Sequence, residues 1–416
     1  MRSALAAWFD GYRALPRTVH VLCLGGFVNR AGTMMMPYMA LYLSSELGFS
    51  RAIATSSLGA AGAGSMVASM VGGVLADRIG RRPVMLMALF GGAMMALLLS
   101  LFRAEAALLA AIFGFAAISD MYRPASQAMV SDVVEESQRP RAFALLYVAH
   151  NLGFATGISL GGVLAARSFQ YLFWGDALSS AAFALWILWT IAETKPASIH
   201  KERPEISTLA AAKLILRDRT FMTFAAAHTL VGSVFAQAGS TLPLYVQDQG
   251  LGPDRYGQIM AVNGVMIVAL QLPITHWAER RSRAWILAAG SLLVGLGFCL
   301  NIFPTTTLGF MAALVVWTIG EILLASSGQA VVAALAPEAL RARYFGAFVL
   351  SFNLSMLLAP AAGGWALTHL GGAALWGLSL GFGIASALGM LSVRRGLDRG
   401  RSTGVRGGEV SAAPEL

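Results

Sequence analysis

Long apolar runs alternate with short polar loops along almost the whole chain. Each run holds about 20 or more mostly apolar residues, the length at which an α-helix crosses the hydrocarbon core of a bilayer. We call each such run a span. The pattern predicts an all-α membrane protein with about twelve spans, numbered one to twelve in chain order: 18–44, 52–76, 83–102, 105–131, 140–166, 170–192, 220–246, 256–278, 284–303, 307–332, 342–368 and 372–393.

The longest polar interruption covers residues 192–220 and leaves six spans on each side. We predict a six-helix bundle over 1–193, a cytoplasmic linker over 194–219 and a second six-helix bundle over 220–395. Residues 396–416 are rich in Gly, Ser and Arg, a composition that predicts a disordered cytoplasmic tail.

The two halves repeat one another at a constant offset of 202 residues. The segment QRPRAFALLYVAHNLGFATGISLGGVLA, in span five, aligns with LRARYFGAFVLSFNLSMLLAPAAGGWAL, in span eleven. Arg139 then matches Arg341, and Gly161 matches Gly363. Other segments align at the same offset, so the repeat predicts two related bundles in parallel orientation.

The composition favours lipid over water as the surroundings of these spans. Hydrophobic residues make up 57% of the chain and charged residues 12%, whereas soluble domains average about 25% charged residues. Both cysteines, Cys23 and Cys299, lie inside apolar runs. They offer neither a disulfide framework nor the spacing of metal ligands, so we predict no metal site.

Lys and Arg are distributed unequally between the two sets of alternating loops. One set holds 24 of them and the other holds four, while Arg30 and Arg123 lie inside spans. Because positive residues accumulate on the cytoplasmic side, we predict a multi-pass protein of the cell (cytoplasmic or inner) membrane with both termini in the cytoplasm. The net charge of +9 follows from this topology. The basic residues are dispersed, so no nucleic-acid partner is predicted.

The loop between spans two and three reads GGVLADRIGRRPVML and collects several charges between two apolar runs. Glycine at position 80 suits a tight reversal, and Pro83 suits the first turn of the next helix. Anchoring by positive charge explains the arginines of this loop. It does not explain Asp77 or the spacing of the glycines.

This loop resembles the signature of the major facilitator superfamily, G-x-L-a-D-r-x-G-r-[RK], through Gly73, Asp77, Arg78, Gly80 and Arg81. The resemblance implies two six-helix halves and a cytoplasmic latch, in which the Asp caps a helix of the other half and charges exchange partners as the halves rock. Asp77 and Arg81 would act in this way here, with Asp132 and Arg141 as neighbouring members. The corresponding loop of the second half, HWAERRSRA, keeps Glu279 and Arg280 but lacks the glycines.

Span five carries a second motif, a glycine series at Gly153, Gly157, Gly161 and Gly162. Antiporters of the superfamily have G-x-x-x-G-P-x-x-G-G in this helix. Here Ile158 replaces the proline, and Pro360 occupies the equivalent position in span eleven. The chain still most resembles the drug/proton antiporter branch with twelve helices (DHA1-like). The alternative interpretation is close packing of helices through small residues.

Ionisable residues inside the membrane are costly and usually face a cavity. The candidates fall on spans one, four, seven and ten, which line the central cavity in this superfamily: Arg30, Asp120, Arg123, His228 and Glu321. Asp120 and Arg123 are three residues apart, so they can pair on one helix face, either for proton coupling or as a static ion pair.

Glu321 has no cation near it in sequence, which favours it as the proton-binding group, with Asp120 as the second candidate. His150 and His228 can be core residues or can bind a ligand or a proton. Asp176, near the outer end of span six where water is close, is interpreted as structural.

Span one contains NRAGTMMMPYMALYLS, in which Pro37 permits a bend. Met34, Met35, Met36 and Met39 offer an adaptable apolar surface or plain packing. We expect Met35 and Tyr38 to contact substrate. Tyr38, Tyr42 and Tyr245 are alternatively anchors at the membrane surface.

These features predict a proton-coupled exporter of hydrophobic or amphipathic small molecules that works by alternating access. It is expected to act as a monomer in the lipid bilayer, with protons and a small-molecule substrate as partners and the proton gradient in place of a cofactor. The alternatives are a proton-coupled uptake symporter for a polar or anionic nutrient, such as a sugar, peptide or organic anion, and a lipid or lysolipid flippase. No nucleophile–base pair, Walker sequence or metal spacing indicates an enzyme.

Overall fold

The computed structural model describes residues 15–135, 138–194, 208–279, 281–337 and 340–398. Within these ranges the chain is helical and contains no strand, and eleven helices are long and apolar enough to cross a membrane. The helix bounds, from span one to span twelve, are Arg17–Gly32; Arg51–Ile79; Arg81–Leu99; Glu105–Ser119 with Tyr122–Val133; Arg139–Ala165; Gln170–Thr190; Arg219–Phe235 with Leu242–Asp248; Pro253–Glu279; Arg283–Cys299; Thr307–Leu335; Arg341–His369; and Gly371–Ser392.

Two further helices modify the predicted connections. Thr208–Arg217 forms a helix inside the predicted linker, whose residues 195–207 lie outside the described part. Arg394–Leu397 forms a short helix, and the Asp398 carboxylate accepts the Ser282 hydroxyl (2.6 Å) at the start of span nine. The predicted tail is therefore packed over 396–398, and the rest of it lies outside the described residues.

Hydroxyl and carboxylate side chains cap the first turn of several spans. The side chain of Ser50 caps span two, Asp218 caps span seven, Ser282 caps span nine and Thr306 caps span ten. Each side-chain oxygen accepts one of the backbone N–H groups that a helix leaves without an internal partner. These caps explain why the spans begin where the apolar runs begin.

Within the described residues, spans one, four and seven are interrupted helices. Span one, predicted as one helix over 18–44, stops being α-helical at Thr33 and continues through a 3₁₀ turn, Met36–Tyr38, and a wider turn, Tyr42–Glu46. Each interruption includes the residue four positions before a proline; the pairs are Thr33 with Pro37, Asp120 with Pro124 and Gly239 with Pro243. Because a proline ring collides with the carbonyl of residue i−4 and lacks an N–H group, the helix breaks there.

The contacts between the halves follow the predicted repeat. A Cβ on Gly162 would lie 2.7 Å from the backbone oxygen of Pro253, and a Cβ on Gly364 would lie 3.1 Å from the backbone oxygen of Arg51. Gly162 and Gly364 are one repeat apart, as are Arg51 and Pro253. Spans five and eight therefore approach each other as spans eleven and two do, which gives the pseudo-twofold arrangement of two bundles.

The glycine series of span five packs against span one. A Cβ on Gly157 would lie 2.7 Å from the Ala31 oxygen, and one on Gly153 would lie 2.7 Å from the Phe27 oxygen. Both neighbours are backbone atoms, which cannot move aside as a flexible side chain can. The geometry favours the small-residue packing interpretation of this motif.

We expect Gly157→Ala to lower the melting temperature of the detergent-solubilised protein, because its methyl group meets the backbone of span one. Overpacking of this kind typically costs about 1–3 kcal/mol. The matched control is Gly346→Ala in span eleven, whose new Cβ would meet nothing within 4 Å. The control should melt at or slightly above the wild-type temperature, since alanine favours a helix over glycine. Equal melting temperatures for the two variants would contradict the packing role.

Candidate functional site

Arg81 is the centre of a polar cluster at the end of the molecule where spans two and three meet, called the Arg81 end below. Its side chain is 7% exposed. Nε donates to the Asp132 carboxylate of span four (2.9 Å), and Nη1 donates to the Ala76 carbonyl of span two (3.0 Å). Nη1 also lies 3.1 Å from the Asp77 carboxylate. One guanidinium thus connects spans two, three and four.

Glu193, at the end of span six, completes this cluster, and sequence reasoning missed it. Its carboxylate accepts the backbone N–H groups of Arg81 (2.9 Å) and Arg82 (3.1 Å), which caps span three. Gly80 turns the chain with φ of +111° beside this carboxylate, and a Cβ at that position would collide with it. The sequence signal was an acidic residue just after span six, where its neighbours suggested only a polar linker.

The latch expectation is met only in part by this conformation. Asp77 is 74% exposed and pairs with Arg81 one turn away, instead of capping a helix of the other half. Asp132 joins the cluster as predicted. Arg141 is exposed, and among the described residues it forms no ion pair with Asp77 or Asp132. Arg280 and the Glu279 side chain lie outside the described part.

The two halves are connected by polar contacts at the opposite end, called the Arg51 end. Arg51, at the start of span two, makes a two-pronged ion pair with Asp248 at the end of span seven (2.6 and 2.8 Å). The Ser45 hydroxyl and the Gln247 amide bond to each other nearby (3.1 and 3.0 Å). The Arg51 end is therefore closed in this structure.

Arg30 lies inside the first half, three residues before the interruption of span one at Thr33. Its guanidinium is 5.3 Å from the ring centroid of Phe154 in span five and is within electrostatic range of Asp120, Arg123 and Asp176. The side chains of Arg30 and Arg123 are both solvent-exposed. An exposed arginine surrounded by groups of spans four, five and six lines an internal space that water can enter.

The predicted ion pair between Asp120 and Arg123 is absent among the described residues. Asp120 ends the first helix of span four, and its carboxylate accepts the hydroxyl of Ser65 in span two. The two residues sit on either side of the interruption caused by Pro124, so the helical spacing of three no longer places their side chains together. The interruption is the physical reason why the prediction was wrong.

Glu321 lies in the uninterrupted span ten and is half-buried. Its carboxylate accepts the Asn263 side-chain amide of span eight (2.7 Å), and the same nitrogen lies 3.1 Å from the Thr318 hydroxyl. Tyr147, from the other half, is within electrostatic range of Glu321. Among the described residues Glu321 forms no ion pair. Asn263 was missed at the sequence level because a single asparagine in an apolar run carries no motif.

The structure contradicts the cavity roles assigned to Met35 and Tyr38. Both are fully buried, and the Tyr38 hydroxyl donates to the Ile158 carbonyl of span five (2.5 Å). The Tyr38 ring also meets Tyr256 of the other half edge-on, with centroids 5.5 Å apart. The interruption at Thr33 turns these residues into the protein, so they are packing residues rather than a substrate surface or membrane-surface anchors.

The two histidines fall in different surroundings. His228 lies 4.4 Å from the Phe348 ring, centroid to centroid, and its Nδ1 is 3.2 Å from the Ser351 hydroxyl. It therefore packs in an aromatic cluster between spans seven and eleven. His150 faces Gly26 of span one and is within electrostatic range of Arg30 and Arg123.

Asp176 of span six differs most from its predicted setting. We expected water close to it, but it is 2% exposed. It faces the interruption of span one, where its carboxylate lies close enough to interact with the Met35 backbone N–H group. One carboxylate oxygen, Oδ2, has no hydrogen-bond partner in the described part of the chain. Span one approaches span six closely here, with Gly32 against Ser179 and Gly175, and this contact buries the position in the present conformation.

A family model described as Major Facilitator Superfamily matches residues 22–264 and 238–414. The chain belongs to the Major Facilitator Superfamily. The predicted fold class, multi-pass membrane association and transport function without enzymatic activity are confirmed at this level. The protein is a secondary transporter of small molecules.

Several relatives of this transporter have reported functions. A Na(+), Li(+), K(+)/H(+) antiporter of Planococcus maritimus is 28% identical over 83% of this chain and 88% of that protein. Multidrug resistance protein MdtH of Edwardsiella ictaluri is 27% identical over 83% of each chain. A solved POT family transporter in complex with a thioalcohol-conjugated peptide superposes with a TM-score of 0.76 and 18% identity, covering 94% of this chain and all of that one.

We expect Arg81→Gln to change the stability of the protein and Asp77→Asn to change its transport rate. Breaking one side of a buried pair costs about 3–5 kcal/mol, and because Asp132 keeps some contact with water we expect the lower value for Arg81→Gln. Its melting temperature should fall clearly. Asp77→Asn should leave the melting temperature unchanged but slow transport in proteoliposomes. The asparagine has no charge to contribute to the latch in the conformation that closes the Arg81 end. Unchanged transport by Asp77→Asn would rule out the latch.

Exchanging the charges of Arg51 and Asp248 tests the closure of the Arg51 end. Exposed ion pairs contribute about 0.2–1 kcal/mol, which changes a population ratio by up to about fivefold. Asp248→Arg should therefore increase the population open at this end, and the double change Arg51→Asp/Asp248→Arg should restore it. Electron-spin distances between labels at Ser56 and Gln249 report these populations. If the double change simply adds the effects of the single changes, the pair does not hold this end closed.

Proposed function

We propose that the transporter is a proton-coupled exporter of hydrophobic or amphipathic small molecules. It would act as a monomer in the cell membrane, with the Arg81 end and both termini facing the cytoplasm, as the distribution of Lys and Arg indicates. The proton gradient would supply the energy. The relative described as a Na(+), Li(+), K(+)/H(+) antiporter supports antiport as the mode of transport, and the relative described as a multidrug resistance protein supports export of hydrophobic or amphipathic molecules.

The observation that carries this proposal is the setting of Glu321. Its carboxylate lies within the membrane-spanning region and has an amide but no described cation as its partner. An ionised carboxylate in such a place is costly, so its protonation changes with its access to water and with the charges around it. Tyr147 faces it from the other half. Rocking of the halves therefore changes the surroundings of Glu321, as coupling requires.

Alternating access then follows from two exchanging closures. In this structure the Arg51 end is closed through Asp248 and the Ser45–Gln247 bonds. Opening that end requires these contacts to break, and the latch around Asp77 would compensate by closing the Arg81 end. Proton binding at Glu321 can shift this equilibrium only by as much as the two conformations differ in proton affinity.

A second candidate is uptake of an anionic or peptide-like nutrient together with protons. The exposed guanidiniums of Arg30 and Arg123 in the internal space favour an anionic group on the substrate. The superposition on the POT family structure with its conjugated peptide supports the same class. A lipid or lysolipid flippase has no observation of its own in its favour.

Proton movement in inverted membrane vesicles separates these candidates. The interior is acidified by respiration and followed with a fluorescent weak base, and then ethidium, sodium chloride or a dipeptide is added. Antiport releases protons from the vesicles and restores fluorescence, whereas symport moves protons in the direction of the nutrient. A response to ethidium supports the first proposal. A response to the dipeptide alone would favour nutrient uptake over the first proposal. A response to sodium alone would keep antiport but make the substrate an inorganic cation.

We expect Glu321→Gln to abolish gradient-driven transport but to keep substrate counterflow, which needs no net proton movement. Glutamine preserves the volume and one acceptor oxygen for Asn263 but cannot bind and release a proton. The matched control is Glu105→Gln at the exposed start of span four, which should retain both activities. Gradient-driven transport that survives in Glu321→Gln would overturn the coupling role.

A further inference from the structure

A carboxylate outside the proposed coupling site lies at the interruption of span one. Asp176 is 2% exposed, and its Oδ2 atom has no hydrogen-bond partner among the described residues. Burying a polar atom without a hydrogen bond is unfavourable, and burying an isolated charge is far more so. Packing alone does not explain why an aspartate occupies this position of span six.

The neighbours of Asp176 connect it to both segments of span one. The Met35 backbone N–H group after the interruption and the Ser180 hydroxyl of its own helix both lie close enough to interact with its carboxylate. The Ser180 oxygen in turn accepts the Asn29 amide, 2.9 Å away, before the interruption. A change in the charge of Asp176 therefore acts on both segments at once.

The charged and titratable groups that face Asp176 are few. Arg30 of span one is within electrostatic range, and it also interacts with Asp120 and Arg123 of span four. Span five contributes His150, which faces span one and interacts with Arg30. Span three, which packs along span six, has no titratable side chain between residues 83 and 100. Arg30 is thus the cation shared by Asp176 and Asp120.

We propose that Asp176 is a second proton-binding carboxylate and that its protonation is linked to the position of span one beyond the interruption. In this step, once movement of span one admits water to the carboxylate, a hydronium ion transfers its proton to Oδ2, which leaves water and a neutral carboxylic acid. The acid holds the Met35 N–H group more weakly than the carboxylate does, and it no longer attracts Arg30. Arg30 is then available to Asp120 or to an anionic substrate. The inference rests on the proposed proton-coupled function.

Infrared spectroscopy tests this directly, because a protonated carboxyl has a carbonyl stretching band that a carboxylate lacks. Reconstituted wild-type protein should show two such bands in difference spectra between acidic and alkaline buffer, one from Glu321 and one from Asp176. Asp176→Asn should lose one band and Glu321→Gln the other. Glu105→Gln is the matched control and should keep both. A wild-type spectrum from Asp176→Asn would overturn the proposal.

A second variant keeps the test independent of whether Asp176→Asn folds. Ser180→Ala keeps the carboxyl but removes the hydroxyl that lies beside it. Its band should therefore move to higher wavenumber, since a carbonyl with fewer hydrogen bonds has a stiffer stretch. Asp176 is excluded as the source of the band if the band does not move in Ser180→Ala. If Asp176→Asn folds, that variant must also keep an unchanged set of bands.

The link to span one is tested by the labelling rate of a cysteine at Met36, in a background where Cys23 and Cys299 are alanine. The rate for a maleimide, divided by that of free cysteine at the same pH, should change severalfold between acidic and alkaline buffer. The ratio should be constant in Asp176→Asn and should still change in Glu321→Gln. A ratio that changes equally in Asp176→Asn would overturn the linkage. None of these measurements involves transport, so failure of the Glu321 coupling role would be recognised separately.

Discussion

Backbone hydrogen bonding governs this structure, because every N–H and C=O group inside a bilayer needs a partner within the protein. Three prolines break that pattern in spans one, four and seven of the described chain. Polar side chains then gather at the interruption of span one. The Thr33 hydroxyl donates to the Asn29 carbonyl (2.9 Å), which also accepts the Thr33 backbone N–H group, and the Asp176 carboxylate lies near the Met35 N–H group. Asp176 and Ser180 are buried polar residues beside this interruption.

The charges of the first half serve two different purposes. At one end, Arg81 and Glu193 connect the ends of several spans, so this region moves as a unit. In the interior, Arg30 lies among several acidic and basic groups without a dedicated ion-pair partner in the described part of the chain. The first arrangement resists change, whereas the second allows it. Motion is therefore expected between the halves and at the interruption of span one, rather than among the helices that Arg81 joins.

The sequence predicted the fold well, because apolar length, loop charge and the repeat of 202 residues are properties that a chain displays directly. It failed where tertiary contacts decide the outcome. The spacing of Asp120 and Arg123 implied a shared helix face, but Pro124 interrupts that helix. Methionine-rich span one suggested a binding surface, whereas the interruption buries it. Glu193 and Asn263 carry no recognisable motif, since their importance comes from which distant groups they meet. The predicted boundaries of the two halves remain predictions.

Span one has a consequence for biogenesis. Its helix, Arg17–Gly32, has 16 residues, about 24 Å in length, which is shorter than the hydrocarbon core of about 30 Å. The irregular continuation is compatible with lipid only when protein surrounds it. Its partners, Ile158 and Asp176, belong to spans five and six, and Tyr256 belongs to span eight. Span one therefore leaves the ribosome before the partners that define its final conformation, and membrane insertion must hold or shield it until spans five, six and eight have been made.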